Sequence, residues 1–574
     1  MPKRSSVPKT PVHESANPST ALDILMITPE ARPYAKTGGL ADVAAALPQA
    51  LARLGHRVTV VLPRYRGIDT SGLAPRPAAI PFGAQSYPVV FYGDSPHFSQ
   101  KMGTAGVMGS TGSVTAVLVD APDLFDRDGL YNNAAGDFAD NGFRFALLSR
   151  AALEYARLRG RRPSVVHGHD WQAGLAAVYL KTVLAGDPVL GGVRSVFTIH
   201  NLAFHGLFPL DLIRWIGLPE SLRHPSGLEF YGNASALKGG IVFSDAITTV
   251  SPTYAREIMT PRFGFGFEGV VASRSADLVG ILNGIDTDTW NPSTDPYLPD
   301  HFSSTDFKGK AQTKAALLAY AGLPSNTTTA ARPLIGLVSR LTNQKGFDLI
   351  AEAADELMAL DATWVMLGSG ERWCERFWVD LAARYPERVA ARIGFDEKLA
   401  HLIEAGADLF LMPSHFEPCG LNQMYSLRYG TLPIVRATGG LDDTVIDADA
   451  DPARGTGFKF QDESAAALVA TVERALESYG NTRRWKSIQR RAMAEDHSWD
   501  VSAREYVKVY EGGRTDVQRP GHANGAGRGA PASGRAGGPG GEASGEDIDG
   551  IRKSADTDRR KLRSDRRGRN TGTR

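Results

Sequence analysis

A short apolar run, a glycine loop, a helical stretch and a second apolar run follow one another near the start of the chain. The first run is 21–28, the glycine loop is 36–40 and the second run is 58–62. Short apolar runs of this kind are typical of buried parallel strands, and the order strand, helix, strand connects parallel neighbours. The pattern therefore predicts an α/β fold with a largely parallel sheet.

The same alternation of strands and helices occurs in two stretches, 21–286 and 333–484. A chain of 574 residues exceeds what one ordinary hydrophobic core supports. We therefore expect two doubly wound, Rossmann-like domains that face each other across a cleft, where a large ligand would bind. The segment 287–332, rich in Pro, Ser, Thr and Asp, is the expected junction, and an amphipathic stretch at 485–510 is expected to close the fold as a helix.

The two ends of the chain differ in composition from its middle. Residues 1–20 are polar and show no periodic apolar face, so we expect a flexible lead. Residues 511–574 are first rich in Gly, Ala, Ser and Pro and then in Arg, Lys and Asp, which predicts a disordered tail. The arginine-rich end is compatible with an anionic partner, but we favour a solvated tail without a defined role.

Charge and hydropathy argue against several classes of protein. Lys and Arg number 64 against 63 Asp and Glu, so there is no global basic excess to bind nucleic acid or an anionic membrane. No apolar run approaches the ~20 residues that span a bilayer, and the N-terminus lacks the apolar core of a signal peptide. The two cysteines, Cys374 and Cys419, favour a reducing compartment, although their pairing stays open. We expect a soluble, cytoplasmic protein.

Glycines and cations follow the first strand of each predicted domain. Lys36 precedes Gly38 and Gly39 at a strand-to-helix turn, and Arg340 and Lys345 follow the first strand of the second domain. Amides at a helix start and fixed cations in a cleft suit a diphosphate, although a glycine pair can also serve close packing alone. The Lys36 loop is neither a GxGxxG nor a P-loop motif, so dinucleotide redox chemistry and ATP hydrolysis lose their usual support.

Further polar groups are expected at the same cleft. Glu417 lies in the turn 416–421, directly after a predicted strand, and a carboxylate there is useful beside an oxocarbenium-like sugar transition state. The turn 438–441 offers a second place for an anion against backbone amides. His200 ends a strand of the first domain, where it either faces the sugar or is a satisfied, partly buried histidine.

Two short motifs admit a metal-binding interpretation. His167, His169 and Asp170 are competent ligands, but no further Cys/His cluster completes a site, and we favour Asp170 as a hydrogen-bond acceptor for sugar hydroxyls. Asp447 and Asp449 resemble the metal-binding DxD of other glycosyltransferases, yet they lie in a polar loop with further acids, so we interpret them as surface residues.

Together these motifs closely resemble the glycogen and starch synthase family, which uses nucleotide-sugar donors on a GT-B fold of two Rossmann-like domains. The resemblance covers roughly 21–511, and the most specific motifs are Lys-Thr-Gly-Gly-Leu and Glu-Pro-Cys-Gly-Leu in this order. In chain order, the matching stretches are 36–43, 169–171, 198–202, 227–230, 250–254, 282–286, 338–341, 344–346, 417–421 and 438–441.

The resemblance implies three groups of site residues. Those that would contact the donor's phosphates are Lys36, Arg340 and Lys345, with the backbone of Gly38, Gly39, Thr438, Gly439 and Gly440. Those that would lie beside the donor's glucose or nucleotide are Asn283, Phe395, Glu417, Cys419, Gly420 and Leu421. Those that would hold sugar hydroxyls and the acceptor end are Asp170, His200 and Asn201. At Phe395 bacterial relatives often have Tyr, so base stacking is kept and a phenolic hydrogen bond is lost.

The activity implied is the transfer of glucose from ADP-glucose to the non-reducing end of an α-1,4-glucan, with retention of configuration and release of ADP. It needs neither a cofactor nor a metal, because Arg340 and Lys345 supply positive charge. Two alternatives stay open: a retaining transferase for a small acceptor, and a non-catalytic glucan-binding protein on the same fold. The residues do not distinguish an adenine from a uracil donor, and they leave the oligomeric state open.

Overall fold

The computed structural model describes residues 21–93, 112–133, 136–325 and 331–513. The predicted N-terminal lead lies outside the described residues, as does the predicted tail from 514 onward. In the part of the chain that the structure describes, no helix is long and apolar enough to cross a membrane.

The first domain is built on one nine-stranded sheet. Across the sheet the strands are Leu278–Gly280, Ala246–Thr249, Arg194–Ile199, Val165–His169, Asp23–Ile27, Arg57–Pro63, Ser113–Asp120, Gln85–Gly93 and Pro75–Phe82. The first seven are parallel, with Asp23 opposite Arg57 and Ile24 opposite Val165, and the last two join by antiparallel pairing. The predicted parallel strands are confirmed, whereas the antiparallel hairpin was not predicted.

The first helix shows how the sequence covers this sheet. Leu40, Val43, Leu47 and Leu51 recur at helical spacing and are buried. The helix Leu40–Arg53 starts directly after the glycine pair of the 36–40 loop, and the chain turns into the next strand at Gly55, where φ is 94°. Its N-terminus therefore lies at the carboxyl end of the first strand, where a parallel sheet binds its ligand.

The remaining elements of the first domain are short. Its other helices are Pro122–Phe125, Asn141–Leu158, Asp170–Ala173, Leu175–Lys181, Leu212–Trp215, Ala236–Phe243, Pro252–Glu257 and Glu268–Ala272. Short strands pair at Leu207–Phe208, Asn233–Ser235 and Glu229–Phe230, and at Asn132–Asn133 and Gly136–Asp137. Single turns of 3-10 helix lie at Glu220–Leu222 and Ser275–Asp277.

The second domain has a six-stranded sheet that is parallel throughout. Across the sheet the strands are Val389–Ile393, Thr363–Gly370, Leu334–Leu341, Leu409–Met412, Leu432–Arg436 and Phe458–Phe460. The helices that pack with it are Lys308–Tyr320, Phe347–Glu352, Ala354–Ala359, Arg372–Arg384, Glu397–Gly406, Asn422–Arg428, Gly439–Thr444, Ala465–Gly480 and Thr482–Ala494, with a 3-10 turn at Asn343–Lys345.

The expected junction 287–332 is more ordered than its composition predicted. It contains the helix Lys308–Tyr320, whose Leu317 and Leu318 are buried in the core of the second domain. The segment is polar on average because polar residues flank this apolar pair. A helix can still pack with only a few buried positions per turn, so the average composition did not reveal it. Much of the expected linker therefore belongs to the second domain.

The first part of the junction is held by a buried polar cluster. Asp295 is fully buried and accepts hydrogen bonds from His401 Nδ1 at 2.7 Å and from the Tyr429 hydroxyl at 2.5 Å. Trp290 stacks between His401 and Tyr425, with ring centroids 4.0 Å apart on each side. Burial raises the pKa of Asp295, but these hydrogen bonds more than offset it, so the pKa lies below the usual value.

We expect Asp295→Ala to destabilise the second domain by about 3 kcal/mol, because it leaves His401 and Tyr429 as buried donors without an acceptor. Scanning calorimetry of both proteins at neutral pH would show an earlier unfolding transition in the variant. Asp288→Ala, which alters an exposed turn of the same segment, is the matched control. An unchanged transition in Asp295→Ala would contradict the role given to this cluster.

The expected closing helix at 485–510 is two helices. The chain leaves the second domain after Thr482–Ala494, turns at Asp496, whose Oδ1 accepts from Ser498 N at 3.0 Å, and begins the C-terminal helix Trp499–Tyr510. The C-terminal helix packs into the core of the first domain. The chain thus crosses between the domains twice, and the crossings meet where Ile285 N donates to the His497 carbonyl at 2.8 Å.

Candidate active site

A cavity of about 160 Å³ opens at the carboxyl ends of two neighbouring strands of the second domain, Leu334–Leu341 and Leu409–Met412. Arg340, Lys345 and Glu417 all line it. The three predicted residues are therefore brought together, because Arg340 lies near the carboxyl end of one strand and Lys345 and Glu417 follow neighbouring strands of the same parallel sheet, whose carboxyl ends lie along one edge.

Glu417 is buried in this cavity and bound to a cation. Its Oε2 accepts from Lys345 Nζ at 2.5 Å and from Ser414 Oγ at 3.0 Å. The side chains of Glu417 and Lys345 are only 8% and 17% exposed, so each charge depends on the other in place of water. Lys345 therefore neutralises the Glu417 carboxylate through this ion pair.

The turn that carries Lys345 is fixed by Gly346. This residue has φ 71°, and a Cβ there would lie 2.0 Å from the Pro413 carbonyl oxygen. Only glycine permits both the left-handed backbone and the close approach. The Lys345 turn is therefore pressed onto the loop that follows the neighbouring strand, while Arg340 remains exposed at the mouth of the cavity.

The predicted anion turn at 438–441 is occupied by a carboxylate of the first domain. Thr438 Oγ1 and Gly439 N donate to Glu257 Oε1 at 2.9 and 3.0 Å. Gly440 N donates in turn to the Glu417 carbonyl at 3.0 Å, so this turn also supports the backbone of Glu417. The prediction that these residues face a phosphate stays a prediction, and the structure places a protein carboxylate at the amide of Gly439.

A carboxylate also fills the glycine loop of the first domain. Glu30 accepts from Thr37 Oγ1 at 2.6 Å, from the Tyr131 hydroxyl at 2.5 Å, from Gly38 N at 3.4 Å and from Thr37 N. Lys36 points away toward Asp42, with Nζ 2.8 Å from Oδ2. Sequence reasoning missed both Glu30 and Glu257, because a single Glu upstream of a turn carries no distinguishing pattern.

The two predicted motifs meet across the cleft. A Cβ at Gly39 would lie 3.9 Å from Leu421 Cδ1, so the 36–40 loop approaches the loop of Glu417. Gly38 has open space beside it. Leu421 and Gly420 line the cavity itself. The glycine loop of the first domain therefore lies beside the loop that lines the cavity.

Asp170, His200 and Asn201 come together at the strand ends of the first domain. Asp170 has φ 56°, and its Oδ1 accepts from His200 N at 2.7 Å. His200 Nε2 is hydrogen-bonded to His169 Nδ1 at 3.0 Å, and burial lowers the pKa of His200 to about 3, so both rings are neutral. The Asn201 side chain accepts from Ala203 N at 3.0 Å and shapes its own turn.

The C-terminal helix contacts a histidine beside this group. The Tyr510 hydroxyl and His167 Nδ1 are hydrogen-bonded at 2.8 Å, and His167 Nε2 and Thr198 Oγ1 at 2.6 Å. The rings of His167 and His169 lie 4.1 Å apart. His167 is thus a satisfied, fully buried histidine, which does not fit a metal ligand facing a cleft.

The second metal-binding interpretation is likewise unsupported by the contacts. Asp449 pairs with Arg474 and Arg484, and Asp447 accepts backbone amides of its own loop. Asp447 is buried rather than a surface residue as expected, because these amides turn it inward. Among the described residues, no group of three or more His, Cys, Asp or Glu is arranged to hold a metal ion.

Three further predicted donor residues have distinct surroundings. Asn283 and Cys419 are both buried, and Cys419 packs in an apolar cluster that joins residues of both domains. Both cysteines are free thiols, and burial raises the pKa of each to about 12, so neither is a reactive thiolate. Phe395 is 89% exposed, beyond the strand Val389–Ile393.

Comparison with known proteins agrees with this geometry. Residues 23–273 match the family model of the starch synthase catalytic domain, and residues 324–492 match that of glycosyl transferases group 1. A glycogen synthase of Anaeromyxobacter dehalogenans (strain 2CP-1 / ATCC BAA-258) is 48% identical over 490 residues, which cover 85% of this chain and 98% of that protein. The chain belongs to the glycogen and starch synthase family.

Two further relatives extend the comparison. A glycogen synthase of Koribacter versatilis (strain Ellin345) is 46% identical over 492 residues, covering 85% of this chain and 98% of that protein. The structure of the catalytic domain of starch synthase IV from Arabidopsis thaliana, bound to ADP and acarbose, matches with a TM-score of 0.76 and 34% identity, covering 87% of this chain and all of that one. The predicted GT-B fold and glycosyltransferase class are confirmed.

Within this family site, Asp170 should give stability a distinctive pH dependence. Burial raises its pKa to about 7. The folded protein then keeps a proton that the unfolded chain releases near pH 4, so this group costs stability as the pH rises from about 4 to about 7. We expect Asp170→Asn, which keeps an acceptor for His200 N, to gain stability relative to the wild type over that interval.

Urea denaturation midpoints of wild type and Asp170→Asn at several pH values would measure this difference. The advantage of the variant should be small near pH 4 and reach its plateau above about pH 7. The neutral histidines beside Asp170 are present in both proteins, so their own pH dependence cancels in the comparison. A difference that does not vary with pH would contradict a protonated Asp170.

Proposed function

We propose that this chain transfers glucose from ADP-glucose to the non-reducing end of an α-1,4-glucan, with retention of configuration and release of ADP. The observation that carries the proposal is the buried Glu417 beside Lys345 and Arg340 in one cavity at the strand ends of the donor domain. Glycogen synthases that share nearly half its residues over most of the chain support the same reaction.

In the proposed reaction the bond between the glucosyl C1 and the diphosphate oxygen breaks. The acceptor hydroxyl oxygen forms the new bond to C1 from the same face, and its proton passes to the departing diphosphate. In this proposal Glu417 stabilises the positive charge on the sugar, and Arg340 and Lys345 stabilise the negative charge that grows on the leaving group. Asp170 and the neutral His200 would hold the sugar hydroxyls at the facing strand ends.

The positive charge in this proposal comes from the protein. Arg340 and Lys345 take the place that a divalent cation has in other transferases, so we propose that the reaction needs neither a metal nor a cofactor. Transfer rates measured with EDTA and with added Mg²⁺ test this point. A rate that disappears with EDTA and returns with Mg²⁺ would overturn it.

The nucleotide would bind beside Phe395. At 89% its exposed fraction exceeds that of every other large apolar side chain in the described part of the chain, and it lies on the donor domain. An aromatic ring in solvent at the carboxyl edge of this domain's sheet is available to stack on a base. A relative of known structure holds ADP, which favours adenine as that base.

The deciding experiment measures release of nucleoside diphosphate by the purified protein with glycogen as primer, comparing ADP-glucose with UDP-glucose. Primer-dependent ADP release, with glucan chains growing by α-1,4 links, is the expected result. Release with a small sugar acceptor but not with glycogen would favour a small-acceptor transferase. Glycogen binding without release from either donor would favour a binding protein.

A further inference from the structure

Three exposed aromatic side chains surround a buried aromatic stack on the first domain. Phe204, Tyr231 and Phe265, which we call the aromatic rim, are 58%, 80% and 38% exposed. Each is adjacent in sequence to a member of the stack or separated from one by a single residue. The stack consists of Phe230 and Phe267, with ring centroids 4.0 Å apart, and of His205, which lies 4.8 Å from Phe267. The rim is therefore a local surface of apolar rings on a rigid base.

Two of the rim residues are held in an unfavourable backbone conformation. Tyr231 has φ 47° and Phe265 has φ 50°, values that bulky residues rarely adopt. Within the described ranges the only other residue besides glycine with positive φ is Asp170, which lies in the candidate site. Backbone strain that persists in a fold tends to occur at ligand-binding positions, and here it presents aromatic rings to solvent.

The rim continues into the candidate site. The ring of Phe265 meets that of Phe416 edge to face, with centroids 5.6 Å apart, and Phe416 directly precedes Glu417. Arg262, in the same loop as Phe265, pairs across the cleft with Glu463. The rim and the reacting carboxylate are thus joined by one ring contact, on the side of the first domain.

We propose that the aromatic rim is a binding platform for the acceptor glucan, on which successive glucose rings lie as the chain leaves the site. The apolar C–H faces of pyranose rings pack on aromatic rings, while their hydroxyls stay in water. The rim offers such rings, and the cation in the same loop as Phe265, Arg262, is paired with Glu463. This inference rests on the proposed function, because it assigns the acceptor side of the same site.

The test uses the full-length protein and two readouts, primer kinetics with glycogen and direct binding of maltoheptaose by calorimetry. In Tyr231→Ala we expect the KM for glycogen and the Kd for maltoheptaose each to rise about tenfold, the usual scale of one aromatic contact. The KM for ADP-glucose should stay within about twofold, since the donor binds on the other domain. Tyr231→Phe, which keeps the ring, should behave as wild type.

Two comparisons make the outcome decisive. Trp215→Ala removes another exposed aromatic, 61% exposed, whose ring lies under the Arg214 guanidinium and outside the rim, and should change neither constant. Phe265→Ala should resemble Tyr231→Ala, with circular dichroism to verify its fold because its ring also contacts Phe416. If the wild type transfers glucose and Tyr231→Ala binds maltoheptaose as tightly, the rim proposal is overturned. If the wild type transfers no glucose, the proposed function fails instead.

Discussion

Glu417→Ala is expected to lose glucosyl transfer by about 10³-fold or more in kcat, with the KM for the nucleotide sugar changed far less. Glu417 is the carboxylate that lines the cavity beside Arg340 and Lys345. A loss of that size corresponds to about 4 kcal/mol of transition-state stabilisation, the scale of one well-placed electrostatic group in a site that excludes water. Initial rates of ADP release at saturating glycogen, over a range of ADP-glucose concentrations, measure both constants.

Glu417→Ala also lowers the stability of the protein, and the experiment must separate this effect from the loss of catalysis. Removing Glu417 leaves Lys345 without its partner in a place that is largely buried, which lowers the stability of the protein. Glu417→Gln keeps an acceptor for Ser414 Oγ and for Lys345 Nζ, so it should lose less stability than Glu417→Ala and still be inactive. Glu473→Ala, on an exposed helical position, is the matched control. Near-wild-type turnover in Glu417→Gln would refute the site assignment.

Much of the fold is predictable because the central strands each carry their own signal. Strands such as Arg57–Pro63 and Leu334–Leu341 lie in the interior of a sheet and read as continuous apolar runs. The hairpin Pro75–Phe82 and Gln85–Gly93 lies at the sheet edge and contains prolines, which weaken a strand pattern but are tolerated where one side of the strand is unpaired. The two residues that join its strands, Gly83 and Ala84, with Gly83 at φ 64°, are a local hairpin signal that was missed in the sequence.

The candidate site likewise contains residues that the sequence predicted and residues that it did not. Arg340, Lys345 and Glu417 were predictable because they lie at or just beyond the carboxyl ends of two strands that are neighbours in one parallel sheet. Glu30 and Glu257 were not, because their roles depend on which carboxylate lies against a glycine turn once the chain is folded. Both turns attract an anion for the reason foreseen, free amides at a helix start, but the structure fills them with protein carboxylates.

Because both glycine turns hold protein carboxylates, we expect phosphate binding to depend on two cations. With Glu257 at the 438–441 turn and Glu30 at the 36–40 loop, Arg340 and Lys345 remain as the positive groups that line the cavity. We therefore expect Arg340→Ala and Lys345→Ala each to lower kcat/KM for the nucleotide sugar by about 10² to 10³. Both kcat and the KM for the nucleotide sugar should change, because the diphosphate is bound in the ground state and gains charge in the transition state.

The two cations should respond differently to conservative replacement. Arg340 is exposed at the cavity mouth, where a planar guanidinium can hold two phosphate oxygens, so Arg340→Lys should recover little activity. The side chain of Lys345 is largely buried against Glu417, with Nζ 2.5 Å from Oε2. Lys345→Arg must fit a larger group into this space, so steric crowding should lower its activity. Arg384→Ala, at the end of the helix Arg372–Arg384 in the same domain, should leave kcat and the KM for the nucleotide sugar unchanged. ADP binding by calorimetry gives the independent readout, and wild-type affinity in Arg340→Ala and Lys345→Ala would place the diphosphate elsewhere in the cleft.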